Sequence, residues 1–177
     1  MVFGEGDPDA GLMVVGEAPG REEDRLGRPF VGRSGQLLDR LLAEEAGMRR
    51  EQVYIANVVK CRPPANRNPL PEEIEACRPY LHEQVRLIRP RVVLTLGNFS
   101  TRLLLGTGAG ITQLRGRTYP WGPPGDGGRR GAVIVPTFHP AAALRGGGEV
   151  LARMRADFVR VKEVLDGDGD GDGGGAP

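Results

Sequence analysis

The sequence predicts an α/β fold: a mostly parallel, doubly wound sheet with helices packed on it. Three observations predict this. Four short apolar runs, 12–15 (LMVV), 53–59 (VYIANVV), 92–96 (VVLTL) and 132–136 (AVIVP), read as buried strands. Segments with helical spacing separate them, and strands alternating with helices give a parallel sheet with right-handed crossovers. The chain of 177 residues suits one domain, assigned to residues 1–165, with enough length to bury a sizeable core.

In order along the chain, residues 1–11 carry Gly4, Gly6, Pro8 and Gly11 and read as an irregular lead-in. The first strand, 12–15, is followed by GEAPGREEDRLGRPFVGRSG, residues 16–35, which is long for a connection between a strand and a helix. Such loops are functional or disordered. This one mixes Pro19, Phe30 and Val31 with glycines that let a backbone approach a ligand. It reads as the floor of an active site. Leu37, Leu38, Leu41, Leu42 and Ala46 then share a helical face, with Gly47 as a stop.

The second strand, 53–59, is interrupted by Asn57 and leads into CRPPANRNPLP, a Pro/Asn-rich loop at 61–71. Pro71 opens a helix with Glu72, Glu73 and Glu75 near the positive end of its dipole; Pro79 should kink or restart it. After the third strand Asn98 is placed to cap a helix to about Leu105. Residues 106–131 are Gly-rich, with a short strand or hairpin near Tyr119 and Trp121. The fourth strand ends in Thr137-Phe138-His139-Pro140, and 150–165 forms a last amphipathic helix. Residues 166–177 (DGDGDGDGGGAP) lack apolar side chains able to support a core and read as a disordered tail.

Charge narrows the partners. The net charge of +1 hides an asymmetry, because the tail holds four Asp and no basic residue; without it 24 basic residues face 19 acidic ones, a body of +5. Nearly all the basic residues are Arg, which suits phosphate contacts and stacking on bases, although a solvated Arg-rich surface reads equally well. Cys61 and Cys77 form no disulfide framework, and no signal peptide or membrane-spanning run is visible, so the chain reads as cytoplasmic.

In doubly wound sheets ligands bind beyond the carboxyl ends of the strands. Glu17, the Lys60–Arg62 stretch and His139 all follow strands and would converge on one rim. Glu17 could polarise a water or stabilise a developing cation; an isolated carboxylate there more often accepts loop N–H bonds. His139, before Pro140, is positioned either as an aimed donor or as a structural imidazole. Asn57 is the most telling residue. A buried unpaired amide costs about 1–3 kcal/mol, so it is either paired in the core or reads a ligand, and an amide matches one edge of a nucleobase. Phe30 is a core residue or a stacking platform. GEAPG is neither a P-loop nor GxGxxG, and two thiolates alone do not close a zinc or iron–sulfur site.

Five motifs occur together and in order: GEAPG at 16–20, GRPFVGRSGQLLD at 27–39, VYIANVVKCRPP at 53–64, NPLPEEIEACRPYL at 68–81 and HPAAALR at 139–145. The chain therefore resembles the family 4 uracil-DNA glycosylases, the iron–sulfur type, over residues 2–165. The resemblance implies a three-layer uracil-DNA glycosylase-like fold with a central four-stranded parallel sheet flanked by helices. It implies hydrolysis of the N-glycosidic bond of deoxyuridine in DNA, leaving an abasic site for base excision repair. By resemblance Glu17 lies beside the attacking water and the sugar cation, and His139 donates toward the uracil O2. Gly16 lends backbone to the pocket, Phe30 stacks on the flipped base and Asn57 reads its polar edge. Glu23 is a weaker candidate for crowding out the thymine methyl. Leu144 would fill the vacated stack and Arg145 would touch the DNA backbone.

The family also implies a [4Fe–4S] cluster on four cysteines. Cys61 and Cys77 match the later pair, while the earlier pair lies upstream of the segment matching Val2, so the two are ligands only on condition that two further cysteines complete the set. The implied partner is uracil-containing DNA, with no membrane, met by a nucleoid-associated monomer. A sliding clamp or polymerase partner has no support in the residues. Two other readings stay open. One is a non-catalytic module of the same fold that binds uracil-containing or single-stranded DNA. The other is the related type that traps DNA covalently through its motif histidine; that type carries GEQPG and an inserted KRRIH loop, whereas this chain has Ala18 and no insertion.

Overall fold

The computed structural model describes residues 1–122 and 131–167. Its elements are β1 (Glu5–Gly6), β2 (Leu12–Gly16), α1 (Arg21–Leu26), α2 (Arg33–Leu41), β3 (Tyr54–Asn57), α3 (Pro71–Ile88), β4 (Val92–Leu96), α4 (Asn98–Leu105), α5 (Ile111–Leu114), β5 (Tyr119–Trp121), β6 (Ala132–Thr137) and α6 (Pro140–Gly167). They build one sheet in the order β1-β3-β2-β4-β6-β5. The four inner strands are parallel, as the sequence predicts, while the two edge strands run antiparallel to their neighbours.

Every residue of β2 and of β4 is buried, which is why both read as unbroken apolar runs. Alternate residues feed two cores. Leu12, Val14, Ile55 and Leu94 pack with Leu38 and Leu41 of α2 and with Met154, Phe158 and Val161 of α6. Met13, Val15, Ala56, Val93 and Ile134 pack on the other face with Leu81 and Val85 of α3 and Leu104 of α4. Two covered faces make three layers. Each fully buried leucine contributes about 1.5–3 kcal/mol, so both helical layers are firmly attached to the sheet.

Chain order reverses at β2, which lies between β3 and β4. A crevice opens beyond the carboxyl ends of strands at such a switch point. Register brings Gly16 of β2 opposite Asn57 of β3, the last pair on that side. The topology therefore delivers Glu17, Asn57 and the residues after β6 to one rim.

Several local expectations need correction. The lead-in is not wholly irregular: Glu5 and Gly6 pair with Ile55 and Tyr54 as an edge strand. The long loop after β2 contains α1, stopped by Gly27 in the left-handed region. The second strand is shorter than 53–59, because after Asn57 the chain turns to give the Val58 and Val59 N–H groups to the Gly16 and Glu17 carbonyls. Pro79 neither restarts nor ends α3, which runs unbroken through it. Asn98 does not cap its own helix; Gly97 is the cap of α4, and the Asn98 Oδ1 accepts the Ile111 N–H at the start of α5, at 2.8 Å. The last helix begins at Pro140, with a break at Gly147 (φ 72°), rather than at 150. Asp166 and Gly167 close α6, so the predicted tail begins inside a helix; its residues 168–177 lie outside the described residues. Among the described residues no helix is long and apolar enough to cross a membrane.

Candidate active site

At the carboxyl rim a cavity of about 460 Å³ is lined by Glu17, Phe30 and Asn57 with Glu23, His139 and Arg145, along with Ala18, Pro19, Gly20, Ser34, Pro63, Asn66, Arg67, Asn68 and Ala141. Six of the residues singled out from the sequence thus meet around one space. Gly16 does not line the cavity itself but packs directly behind two residues that do, Asn57 and Phe30. A Cβ there would lie 2.5 Å from both the Asn57 Oδ1 and the Phe30 ring, so only glycine lets these two groups approach the strand end. Leu144 is exposed and outside the lining.

The Asn57 backbone is fixed twice, by its pairing with Gly16 and by the Lys60 Nζ donating to its carbonyl at 2.9 Å. Its side-chain Oδ1 is buried without a partner. An acceptor left bare in the interior costs about 1–3 kcal/mol unless something completes it. Among the described residues this oxygen finds no partner in the core, one of the two alternatives left by the sequence.

Phe30 is nearly fully buried, and its φ of 50° lies in the left-handed region, where a bulky residue is an outlier. Such strain costs about 1–3 kcal/mol and persists only when the surroundings impose it. Gly35 leaves room for it, since a Cβ there would fall 1.8 Å from the Phe30 carbonyl oxygen. Glu23 holds the turn: its Oε1 accepts the Val31 and Gly32 N–H groups, both at 3.1 Å. From the far side Arg50 donates to the Pro29 and Phe30 carbonyls.

The His139 ring lies 5.8 Å from that of Phe30, tilted by 32°. Its Nδ1 accepts the Ala141 N–H at 3.1 Å, which leaves the proton on Nε2. Burial, reinforced by the Arg145 charge and opposed by Glu23, pushes its pKa down from 6.5 to about 4. The imidazole is therefore neutral at pH 7 and still a donor. Gly97, with φ 88°, sits against it, its own Cβ position being 3.2 Å from the His139 Cβ. Burial raises the Glu17 pKa, and no described side chain pairs with that carboxylate. The cavity thus offers a bare amide acceptor, a neutral N–H donor, an aromatic wall and an unpaired carboxylate.

Cys61 is exposed and Cys77 half-buried, and neither lines the cavity. The Cys77 Sγ accepts the Lys60 N–H at 3.4 Å, which places it next to the residue preceding Cys61. Among the described residues no group of three or more His, Cys, Asp or Glu is arranged to hold a metal ion. Two thiols do not close a four-ligand set, so these residues alone do not fit a cluster.

The sequence reading missed the second wall, 63–68, and the grips on Phe30. The only signal for the wall was its density of Pro and Asn. Ala65 and Asn66 both adopt φ 54°, a conformation Asn tolerates better than Ala.

The model of the uracil DNA glycosylase superfamily matches residues 3–165. The chain belongs to that superfamily. The type-4 uracil-DNA glycosylase of Sulfurisphaera tokodaii is 44% identical over 92% of this chain and 74% of its own length. That of Saccharolobus solfataricus is 45% identical over 93% and 76%. That of Thermotoga maritima is 46% identical over 87% and 77%. Membership of the type-4 branch agrees with the order and spacing of the five motifs.

Proposed function

We propose that this chain removes uracil from DNA by hydrolysing the N-glycosidic bond of deoxyuridine. The carrying observation is that the bare Asn57 Oδ1 and the neutral His139 donor line one cavity. Uracil has a ring N–H to give to the first and a carbonyl oxygen to receive from the second. Extruding the base costs a few kcal/mol, least for a mispaired one. Phe30 recovers part of this by stacking, worth about 1–3 kcal/mol per base.

As the bond from the sugar carbon to the ring nitrogen lengthens, negative charge moves onto the uracil carbonyl and positive charge onto the sugar. The His139 Nε2–H stabilises the first. A fixed donor of this kind is worth about 2.7–4 kcal/mol, and it loses nothing to reorganisation because the Ala141 N–H already fixes the tautomer. Ionised Glu17 stabilises the second and orients the water that adds to the sugar carbon. The water loses a proton as its oxygen bonds to the sugar carbon, and the uracil anion takes up one proton from solvent, which leaves an abasic site and free uracil. Glu23 closes the cavity beside the base; Leu144, exposed on α6, fills the vacated stack, and Arg145 contacts the phosphates. The protein acts as a monomer.

Cys61 and Cys77 would supply two of the four ligands of the [4Fe–4S] cluster that the family resemblance implies; the sequence holds no other cysteine. No step above passes through that group.

Denaturing electrophoresis of a single-uracil oligonucleotide after incubation and alkali tests the proposal. Cleavage at the uracil, with none at thymine or cytosine in the same position, is expected. Unchanged DNA that is nonetheless bound would favour a binding module, and a slowly migrating protein–DNA adduct would favour covalent trapping.

A further inference from the structure

We infer that Arg50 is a positioning residue for uracil recognition: it holds Phe30 in the strained pose that makes its ring a stacking platform. The inference rests on the uracil-stacking reading above. Arg50 lies in the short turn Arg50–Gln52 before β3 and does not line the cavity. Whatever it does for the base, it does through other residues.

Its guanidinium is mostly buried and faces the backbone of the loop. Nη1 donates to the Phe30 carbonyl at 2.7 Å, and Nη2 donates to the Pro29 carbonyl. Two consecutive carbonyls aimed at one fork fix the peptide between them, and a planar guanidinium is the side chain suited to this geometry. Asp39 of α2, 3.2 Å from Nη1, and Glu5 of β1, 3.3 Å from Nη2, hold the fork in place. The Nε is buried with no partner, so the side chain is not arranged for its own satisfaction.

The grip acts where help is needed. The φ of 50° at Phe30 is unfavourable for an aromatic residue and has to be imposed from outside. Arg50 takes the carbonyl side of this turn, while Glu23 takes the N–H side at Val31 and Gly32. Glu23 reaches the cavity and could affect the base directly. Arg50 does not, which makes it the cleaner probe of a pre-set platform.

The test measures inhibition of excision by free uracil alongside binding to duplex DNA that already contains an abasic site. Arg50→Met is expected to raise the inhibition constant of uracil about tenfold, within the range spanned by losing one stacked base. Affinity for abasic DNA, which has no base to stack, should stay within about twofold. In a Phe30→Ala background the same substitution should add nothing, because the platform is already gone. An unchanged inhibition constant, or an equal rise in both backgrounds, would overturn the inference. Arg50→Lys keeps the charge beside Asp39 and Glu5 but cannot span both carbonyls, so the same rise is expected of it and it replaces Arg50→Met if that variant folds poorly. If Phe30→Ala itself leaves uracil inhibition unchanged, the stacking reading fails, and the Arg50 role fails with it. If Phe30→Ala weakens inhibition and both Arg50 variants do not, only the Arg50 role is lost.

Discussion

The two walls of the cavity are held in different ways. The wall carrying Phe30 is tied to distant parts of the chain: Arg50 reaches it from before β3, with Glu5 of β1 and Asp39 of α2 behind the guanidinium. The wall made by 63–68 is tied to its own neighbourhood. Arg62 donates to the Asn66 Oδ1, and Arg67 pairs with Glu73, which also accepts the Leu70 N–H at the start of α3. That pairing, with the Leu70 N–H, holds the half-buried Glu73 carboxyl down to about 2. Grips from several elements fix a geometry, whereas local grips let a segment move as a unit. The first wall suits the base, whose shape is constant. On the proposed reading the second is left to the DNA backbone, whose path varies.

Substitutions can break or sharpen this contrast. His139, ring to ring with Phe30, belongs to the fixed wall, and His139→Ala should lower the single-turnover rate about 10²–10³-fold with little change in DNA binding. A rate near that of the wild type would mean that another group stabilises the departing base. Gly16→Ala, which drives a methyl into the Asn57 amide and the Phe30 ring, should cost about ten- to a hundredfold in rate and weaken inhibition by free uracil. On the local wall, Arg67→Ala should weaken DNA affinity by about fivefold at most, with base preference unchanged. Filter binding beside the excision assay separates these effects; a change in base preference from Arg67→Ala would erase the distinction between the walls.

The smallest effect is on stability against pH. An imidazole in the unfolded chain titrates near 6.5, but His139 in the folded protein does so at about 4. Between these values the unfolded state binds a proton that the folded state refuses, so stability falls as pH falls through this window. Glu17, whose folded pKa is raised by burial, acts in the opposite sense. Wild type should therefore lose more melting temperature than His139→Ala between pH 6.5 and 4. Parallel melting curves for the two would show that His139 is not held neutral.

The four inner strands were legible because strands buried on both faces leave unbroken apolar runs, as β2 and β4 do. The rim followed from topology for Glu17 and His139, each just past a strand end, but the Lys60–Arg62 stretch expected beside them does not line the cavity; Asn57, at the end of β3, does. The edge strand at Glu5 and Gly6 was not legible: two residues carry no periodicity, and only pairing with β3 makes them a strand. Pro79 looked like a break, yet α3 continues through it with Leu81 and Val85 fully packed on the sheet, so tertiary burial outweighs the lost bond. The grip of Arg50 on Phe30 was invisible because it joins residues twenty positions apart through backbone carbonyls, which leave no trace in residue type.

The proposed bond cleavage rests on His139 as a neutral donor through Nε2. Nitrogen NMR of protein labelled at its two histidines, His82 and His139, reads this directly. At pH 7 an uncharged His139 ring is expected, protonated at Nε2 and bare at Nδ1, with the Nε2–H resonance shifting when free uracil is added. A charged ring at pH 7, a proton on Nδ1, or no response to uracil would contradict that role.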